Sequence, residues 1–319
     1  MLLQVLLLVG GFVLLIKGAD WLITGASALG KKFNISDLAI GLTIVAFGTS
    51  APELVVNAIA SFNDKPDLVF GNVIGSNNIN LFVILGITGL ITPLAVKSST
   101  AWKEIPISFG AIMVLFVLAN DFAFDHSSLL SRIDGLLLMG LFVSFLFYVY
   151  KEIKSDVIHA DLHLQHLSNL KIALFILIGI GGLVGGGKMV MTGAVEIARM
   201  LGVSEKIIGL TIVALGTSLP ELMTSVVAAL KKNVDIAVGN IIGSNVFNIF
   251  LILSVSSLIR PISFQASFNT DLYVLAGGTL FLFLAMFAGG RKQLDRWEAA
   301  ILLLAYLAYT YLLIRQEVG

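Results

Sequence analysis

The chain alternates between long apolar runs and short polar clusters. The clusters are "GKKFNISD", "NDKPD", "KSSTAWKE", "NDFAFDHSS", "KEIKSDVIHADLHLQHLSN", "LGVSEK", "KKNVD", "RPISFQASFNTD" and "GGRKQLDR". The runs between them have the length of a bilayer-spanning helix, roughly 20 residues. Nine breaks leave ten candidate spans. The pattern therefore predicts an all-α polytopic membrane protein of about ten transmembrane helices, with both termini on one side. "MLLQVLLLVGGFVLL" has no basic leader, so it reads as the first span rather than a cleaved signal.

Composition supports this class. Of 319 residues, 57% are hydrophobic and only 13% charged, against about 25% charged in a soluble domain. No polar segment is long enough for a large soluble domain. Balanced charges, 20 basic and 20 acidic, argue against a nucleic-acid partner, and no obligate protein partner is evident. The absence of cysteine excludes disulfides and thiolate metal sites. Basic residues choose an orientation. One set of connections holds Lys31, Lys32, Lys97, Lys103, Lys151, Lys154, Lys171, Lys231, Lys232, Arg291, Lys292 and Arg296. The other has only Lys65, Arg132, Arg199, Lys206, Arg260 and Arg315. The expected arrangement is a plasma (inner) membrane protein, with a cytoplasmic central linker and termini outside.

The chain repeats itself. Residues 41–57, "GLTIVAFGTSAPELVVN", match residues 209–225, "GLTIVALGTSLPELMTS", at 12 of 17 positions; residues 69–86 match 237–254 at 10 of 18. Both alignments carry the same offset, 216 − 48 = 239 − 71 = 168. Five spans separate the copies, so the second crosses the membrane in the opposite direction, as in the inverted repeats of secondary transporters. The expected units are a first five-helix half at 1–152, a linker at 153–168 and a second half at 169–319.

Each copy buries a proline and a glutamate together. Pro52 and Pro220 cannot donate to the carbonyls of Gly48 and Gly216, and the glycines predict unwinding near Ala46–Thr49 and Ala214–Thr217. Beside this backbone stand Thr49, Ser50 and Glu53, and Thr217, Ser218 and Glu221. Intramembrane carboxylates without a basic partner on the same spans mark an ion or proton path. The second motif, "GNVIGSNNIN" and "GNIIGSNVFN", adds Ser76 with Asn80 and Ser244 with Asn248 at i,i+4 spacing on one helical face. Hydroxyls, carboxylates and carbonyls suit a hard cation such as Ca²⁺, which takes 6–8 oxygens, and also Na⁺; soft transition metals are poorly served. Asn77 and Asn245 lie round the helix from this face and read as structural, bonding freed backbone. Asn72 and Asn240 read as caps or backbone bridges.

The doubled GTS-x-PE and GN-x-IGSN-x-x-N motifs resemble the α-repeats of the cation/Ca²⁺ exchanger superfamily, in particular the compact prokaryotic Na⁺/Ca²⁺ exchangers. The resemblance covers the whole chain. It implies a Na⁺/Ca²⁺ antiporter, not an enzyme and without a cofactor, whose transported ions are Ca²⁺ and Na⁺. Ca²⁺ would bind between Glu53 and Glu221 with the carbonyls of Thr49 and Thr217. One set of Na⁺ ligands would be the Ala46 carbonyl, Thr49, Ser76, Ser218 and Glu221. The mirror set would be the Ala214 carbonyl, Thr217, Ser244, Ser50 and Glu53, with Asn80 and Asn248 flanking the centre. The first span of each half would slide against the rest. Some relatives, including K⁺-dependent ones, carry Asp where this chain has Asn248, which speaks against K⁺ coupling. Two glutamates balance one Ca²⁺ but not three Na⁺, so a 3:1 exchange would move net charge.

Two alternatives stay open in the residues themselves: a Ca²⁺/H⁺ antiporter of the same fold, with protons replacing calcium on Glu53 and Glu221, and a passive cation channel. Lesser features read as structural. His159, Asp161, His163 and His166 form a solvated linker face. Lys17, Asp20 and Lys188 lie near span ends, snorkelling or pairing. Glu196 and Arg199 form a helix pair, and Trp21, Trp102 and Trp297 anchor at the interface.

Overall fold

The computed structural model describes residues 1–96, 100–120, 128–155, 167–202, 214–288 and 292–318. The linker histidines, Lys97, Lys206, Arg291 and the segment 203–213 lie outside the described residues. Among the described residues twelve helices follow in order: α1 (Leu2–Phe33), α2 (Asp37–Thr49), α3 (Ala51–Phe62), α4 (Pro66–Ile91), α5 (Thr100–Ala119), α6 (Arg132–Ser155), α7 (Asn169–Met200), α8 (Ala214–Thr217), α9 (Leu219–Leu230), α10 (Val234–Ile259), α11 (Phe268–Ala285) and α12 (Arg296–Val318). Among the described residues seven are long and apolar enough to cross a membrane, or eight if α2 and α3, bent by 47°, count as one span. Leu3, Val13, Phe62, Leu136, Leu177 and Leu304 stand exposed around the outside, a surface suited to lipid and not to water.

Local chemistry sets the helix ends. α1 carries Lys31 and Lys32 in its last turn and stops at Asn34, whose left-handed backbone (φ 54°) closes the helix. Ser36 caps α2, accepting from the Ala39 amide at 3.2 Å. Ser168 and Asn233 cap α7 and α10 in the same way. The α3–α4 turn passes through Asp64 (φ 56°) and the α9–α10 turn through Lys232 (φ 60°), positions 168 apart.

α4 and α10, the helices of the GN motif, form the centre. In α10, 94% of the apolar stretch is buried, against 22% in α1. Each contains a widened turn, Ile79–Ile84 and Phe247–Ile252, again 168 apart and beginning beside Asn80 and Asn248. Such turns disrupt the regular ladder and concentrate at functional sites. α1 and α7 lie against each other along their length. Gly11, Gly18 and Gly25 face Gly179, Gly186 and neighbouring α7 backbone. A Cβ on Gly18 would sit 2.9 Å from the Gly179 carbonyl oxygen, and one on Gly179 2.5 Å from the Leu22 amide. Only glycine permits this backbone contact.

Two short ribbons, absent from the all-α expectation, tie the halves together. β1 (Leu94–Ala95) pairs antiparallel with β4 (Gln293–Leu294), and β2 (Leu129–Leu130) with β3 (Ile262–Ser263).

Candidate functional site

The proline motifs act as expected in kind but over a shorter reach. Ala46–Thr49 and Ala214–Thr217 are helical, and the helix breaks only at Ser50 (φ −83°, ψ 3°) and Ser218 (φ −88°, ψ 5°). The predicted unwinding is corrected accordingly. Pro52 and Pro220 occupy the first turn of α3 and α9, where a missing N–H costs nothing and the fixed φ restarts the helix. The Ala46 carbonyl accepts the Ser50 amide at 2.9 Å and so keeps a helical partner, as well as the Thr49 hydroxyl at 3.2 Å. Ala214 opens α8, and its side chain lies outside the described atoms.

The breaks turn two acids inward. Glu53 and Glu221 are each 1% exposed. Glu221 Oε1 accepts from the Ser50 hydroxyl of the other repeat at 3.0 Å. Glu221 Oε2 and both Glu53 oxygens have no hydrogen-bond partner, and among the described residues neither acid has a basic neighbour bonded to it. Nearby, Ser76 Oγ, Ser218 Oγ, Asn80 Oδ1 and Asn248 Oδ1 are likewise buried and unsatisfied. Leaving one buried polar atom unpaired costs about 1–3 kcal/mol, a cost that a hard cation or water would remove at these seven oxygens on six side chains.

The asparagines explain why these oxygens remain available. Asn80 donates its amide nitrogen to Asn245 Oδ1 at 3.0 Å, and Asn248 donates to Asn77 Oδ1 at 2.9 Å. Asn77 in turn donates to the Asn245 backbone carbonyl at 3.3 Å. With its amide nitrogen turned to the opposite repeat, each of Asn80 and Asn248 leaves its Oδ1 unpaired. Asn77 and Asn245 are therefore structural, as expected, but they clamp side chains between repeats and do not bond backbone freed by the prolines. Asn240 does bridge backbone, donating to the Glu221 carbonyl at 3.4 Å, and also accepts from Thr49 Oγ1 at 3.0 Å. Asn72 accepts from Asn57 at 2.8 Å and approaches Thr217 Oγ1 at 3.5 Å. Asn57, which the motif reading passed over, donates to the Glu53 carbonyl at 2.7 Å; its repeat position alone, 168 before Ser225, could have flagged it.

The site is not symmetric. Thr49 touches Ser244 (3.5 Å) and Asn240, and Ser50 holds Glu221. Their mirror partners Ser218 and Glu53 are unbonded, and Asn72 is only half-buried where Asn240 is fully buried. Among the described residues no three His, Asp, Glu or Cys side chains cluster to hold a metal. The donor set is instead two carboxylates with amides and hydroxyls, all hard oxygen.

A family described as sodium/calcium exchanger protein matches the chain twice, over residues 3–151 and again over 171–315. The chain belongs to this sodium/calcium exchanger family. It is 38% identical to CaxA of Alkalimonas amylolytica, covering 98% of this chain and 99% of that protein. It is 31% identical to the sodium/calcium exchanger MaX1 of Methanosarcina acetivorans, covering 97% of both chains. A solved structure of the sodium-calcium exchanger NCX_Mj, soaked with zero Na⁺ and Ca²⁺, superposes with a TM-score of 0.82 at 32% identity, over 98% of this chain and 99% of that one. Membership makes the exchanger a transporter and not an enzyme.

Proposed function

We propose that this exchanger is a secondary active antiporter that moves Ca²⁺ against Na⁺ by alternating access, with both ions using the site between the repeats. The observation that carries the proposal is the set of buried, unpaired oxygens on Glu53, Glu221, Ser76, Ser218, Asn80 and Asn248, the hard donors that Ca²⁺ and Na⁺ take. Ca²⁺ sits between the two acids, cancelling their charge, with Asn80 and Asn248 supplying carbonyl oxygens and the Thr49 and Thr217 carbonyls completing the shell. Na⁺ uses the mirrored hydroxyl sets: the Ala46 carbonyl, Thr49, Ser76, Ser218 and Glu221 on one side, and the Ala214 carbonyl, Thr217, Ser244, Ser50 and Glu53 on the other. The chain crosses the bilayer ten times in two inverted five-helix halves. α2–α3 and α8–α9 each serve as one broken span, and the basic linker face lies in the cytoplasm.

The test is ⁴⁵Ca²⁺ uptake into proteoliposomes under an outward Na⁺ gradient or an outward H⁺ gradient. Uptake with Na⁺ is the expected result. Uptake with H⁺ and none with Na⁺ would move the protein to the Ca²⁺/H⁺ alternative.

A further inference from the structure

The 168-residue offset extends beyond the two motifs into the peripheral helices. Gly11, Gly18, Thr24, Gly25 and Ala26 of α1 correspond to Gly179, Gly186, Thr192, Gly193 and Ala194 of α7. Elements related by the repeat should then have related surroundings, and at one place they do not. Val227 and Ala228 of α9 are buried against Leu15, Ala19, Leu22 and Ile23 of α1. Their counterparts Ile59 and Ala60 of α3 receive no comparable packing from α7. Ile59 is 55% exposed, and it lines an open groove of about 470 Å³ with Val56, Ala60, Asn63, Lys65 and Leu68. The α1–α7 pair is thus seated on one half and withdrawn from the equivalent berth on the other.

Charges mark both berths. Lys231, ending α9, pairs with Asp20 of α1 at 2.5 Å and donates to Thr24 Oγ1 at 3.2 Å. The repeat places Lys188 at the position of Asp20, Thr192 at that of Thr24, and Asn63–Asp64 at that of Lys231–Lys232. The sign is inverted between Asp20 and Lys188 and between Lys232 and Asp64, while the position of Lys231 itself holds neutral Asn63, so the acid open to Lys188 lies one residue beyond the repeat image of Lys231. Lys188 is exposed and has no ion-pair partner among the described residues. Asp64 shares the left-handed backbone of Lys232, and its present partner Arg260 forms only a surface pair at 3.0 Å, with 52% and 60% of the two side chains exposed. Surface pairs of this kind are worth at most about 1 kcal/mol and are readily exchanged.

We infer that Asp20 and Lys188 are the two arms of an alternating ion-pair latch. Asp20–Lys231 holds the conformation seen here, and Lys188–Asp64 holds the opposite-facing one, with α7 seated in the α3–α4 groove. The latch rests on the antiporter reading, because it needs two end states. Lys65 lines the same groove and repels Lys188, so the second berth depends on Asp64.

The chain has no cysteine, so paired cysteines can be introduced without background. The variants Asp20→Cys with Lys231→Cys and Lys188→Cys with Asp64→Cys are treated in proteoliposomes with a short bifunctional thiol reagent and scored on a gel, apart from any ion flux. Both pairs should cross-link, and each cross-link should leave the site open to opposite faces of the membrane. Cross-linking of the first pair with none in the second, at any Na⁺ or Ca²⁺ concentration, overturns the latch. Separately, Asp64→Lys should slow exchange about fivefold, the effect of roughly 1 kcal/mol, and adding Lys188→Asp should restore it to within about twofold. Absence of that rescue also counts against the latch. Because the gel reports proximity alone, failure of the antiporter reading would show in the flux and not in the cross-links.

Discussion

At the scale of single residues, the site works by withholding partners from oxygen. Glu53 lacks both hydrogen bonds that a buried carboxylate would ordinarily collect, and Glu221 keeps only the one from Ser50. Replacing either by Gln halves the negative charge facing a divalent ion and introduces an N–H donor among acceptors. Glu53→Gln and Glu221→Gln should each lower ⁴⁵Ca²⁺ uptake by more than about a hundredfold, above the 10–100-fold typical of outer-shell ligand changes, with an unchanged elution profile in detergent. Asn245→Leu makes a finer test. It removes the acceptor that occupies the Asn80 amide, so Asn80 becomes free to turn its N–H toward the cation. Ca²⁺ half-saturation should rise about tenfold while the fold persists. Both acids and all four cross-repeat amides were legible as residues in the sequence. The clamp was not, because which atom of an amide faces inward is decided by a partner on a helix 165–171 residues away.

At the scale of elements, packing on glycine joins α1 and α7 into one unit. At its glycines the α1–α7 contact is backbone on backbone, with Val190 and Leu15 set into the notches at Gly11 and Gly186, and close approach through small residues is what associates helices in lipid. Gly18→Val would drive a side chain into the α7 backbone at 2.7–2.9 Å; overpacking of this kind costs typically about 1–3 kcal/mol. Thermal unfolding of the purified variant should shift down and exchange should be lost. Gly140→Ala, in α6 where an added Cβ meets nothing within 4 Å, should leave both unchanged or raise stability slightly. The long apolar helices and their caps could be read directly from the apolar runs and the Ser, Asn and Lys at their ends. The widened turns at Ile79–Ile84 and Phe247–Ile252 could not, since a single extra residue in a turn leaves no mark on composition. Nor could the two ribbons: a pair of two-residue strands has too little periodicity to register, and Leu94 meets Leu294 only once the halves have assembled.

At the scale of the whole molecule, the two copies of the motif meet in one place, Ser50 on Glu221 and Asn80 on Asn245, and the charge gathered there bears on what the proposed cycle would carry. The site contains two carboxylates and no basic side chain bonded to either. Asn248 and Asn80 are neutral amides, so the site holds at most two negative charges. One Ca²⁺ neutralises it. Three Na⁺ would overfill it by one, and in a 3:1 exchange the surplus charge would cross the membrane potential in one half of the cycle. Moving one charge is worth about 2.3 kcal/mol per 100 mV, which is close to a fiftyfold change in the equilibrium Ca²⁺ ratio. In proteoliposomes clamped with K⁺ and valinomycin, a 100 mV step to inside-positive should therefore raise Na⁺-driven Ca²⁺ accumulation by about that factor. A ratio indifferent to voltage would mean that two Na⁺ and not three exchange for each Ca²⁺. Replacing Asn248 by Asp sharpens the comparison, because a third carboxylate would absorb the surplus and move the charge deficit to the Ca²⁺-loaded step. Voltage dependence would then shift from the Na⁺-carrying to the Ca²⁺-carrying half of the cycle, while the overall ratio, set only by the ions exchanged, would keep its response.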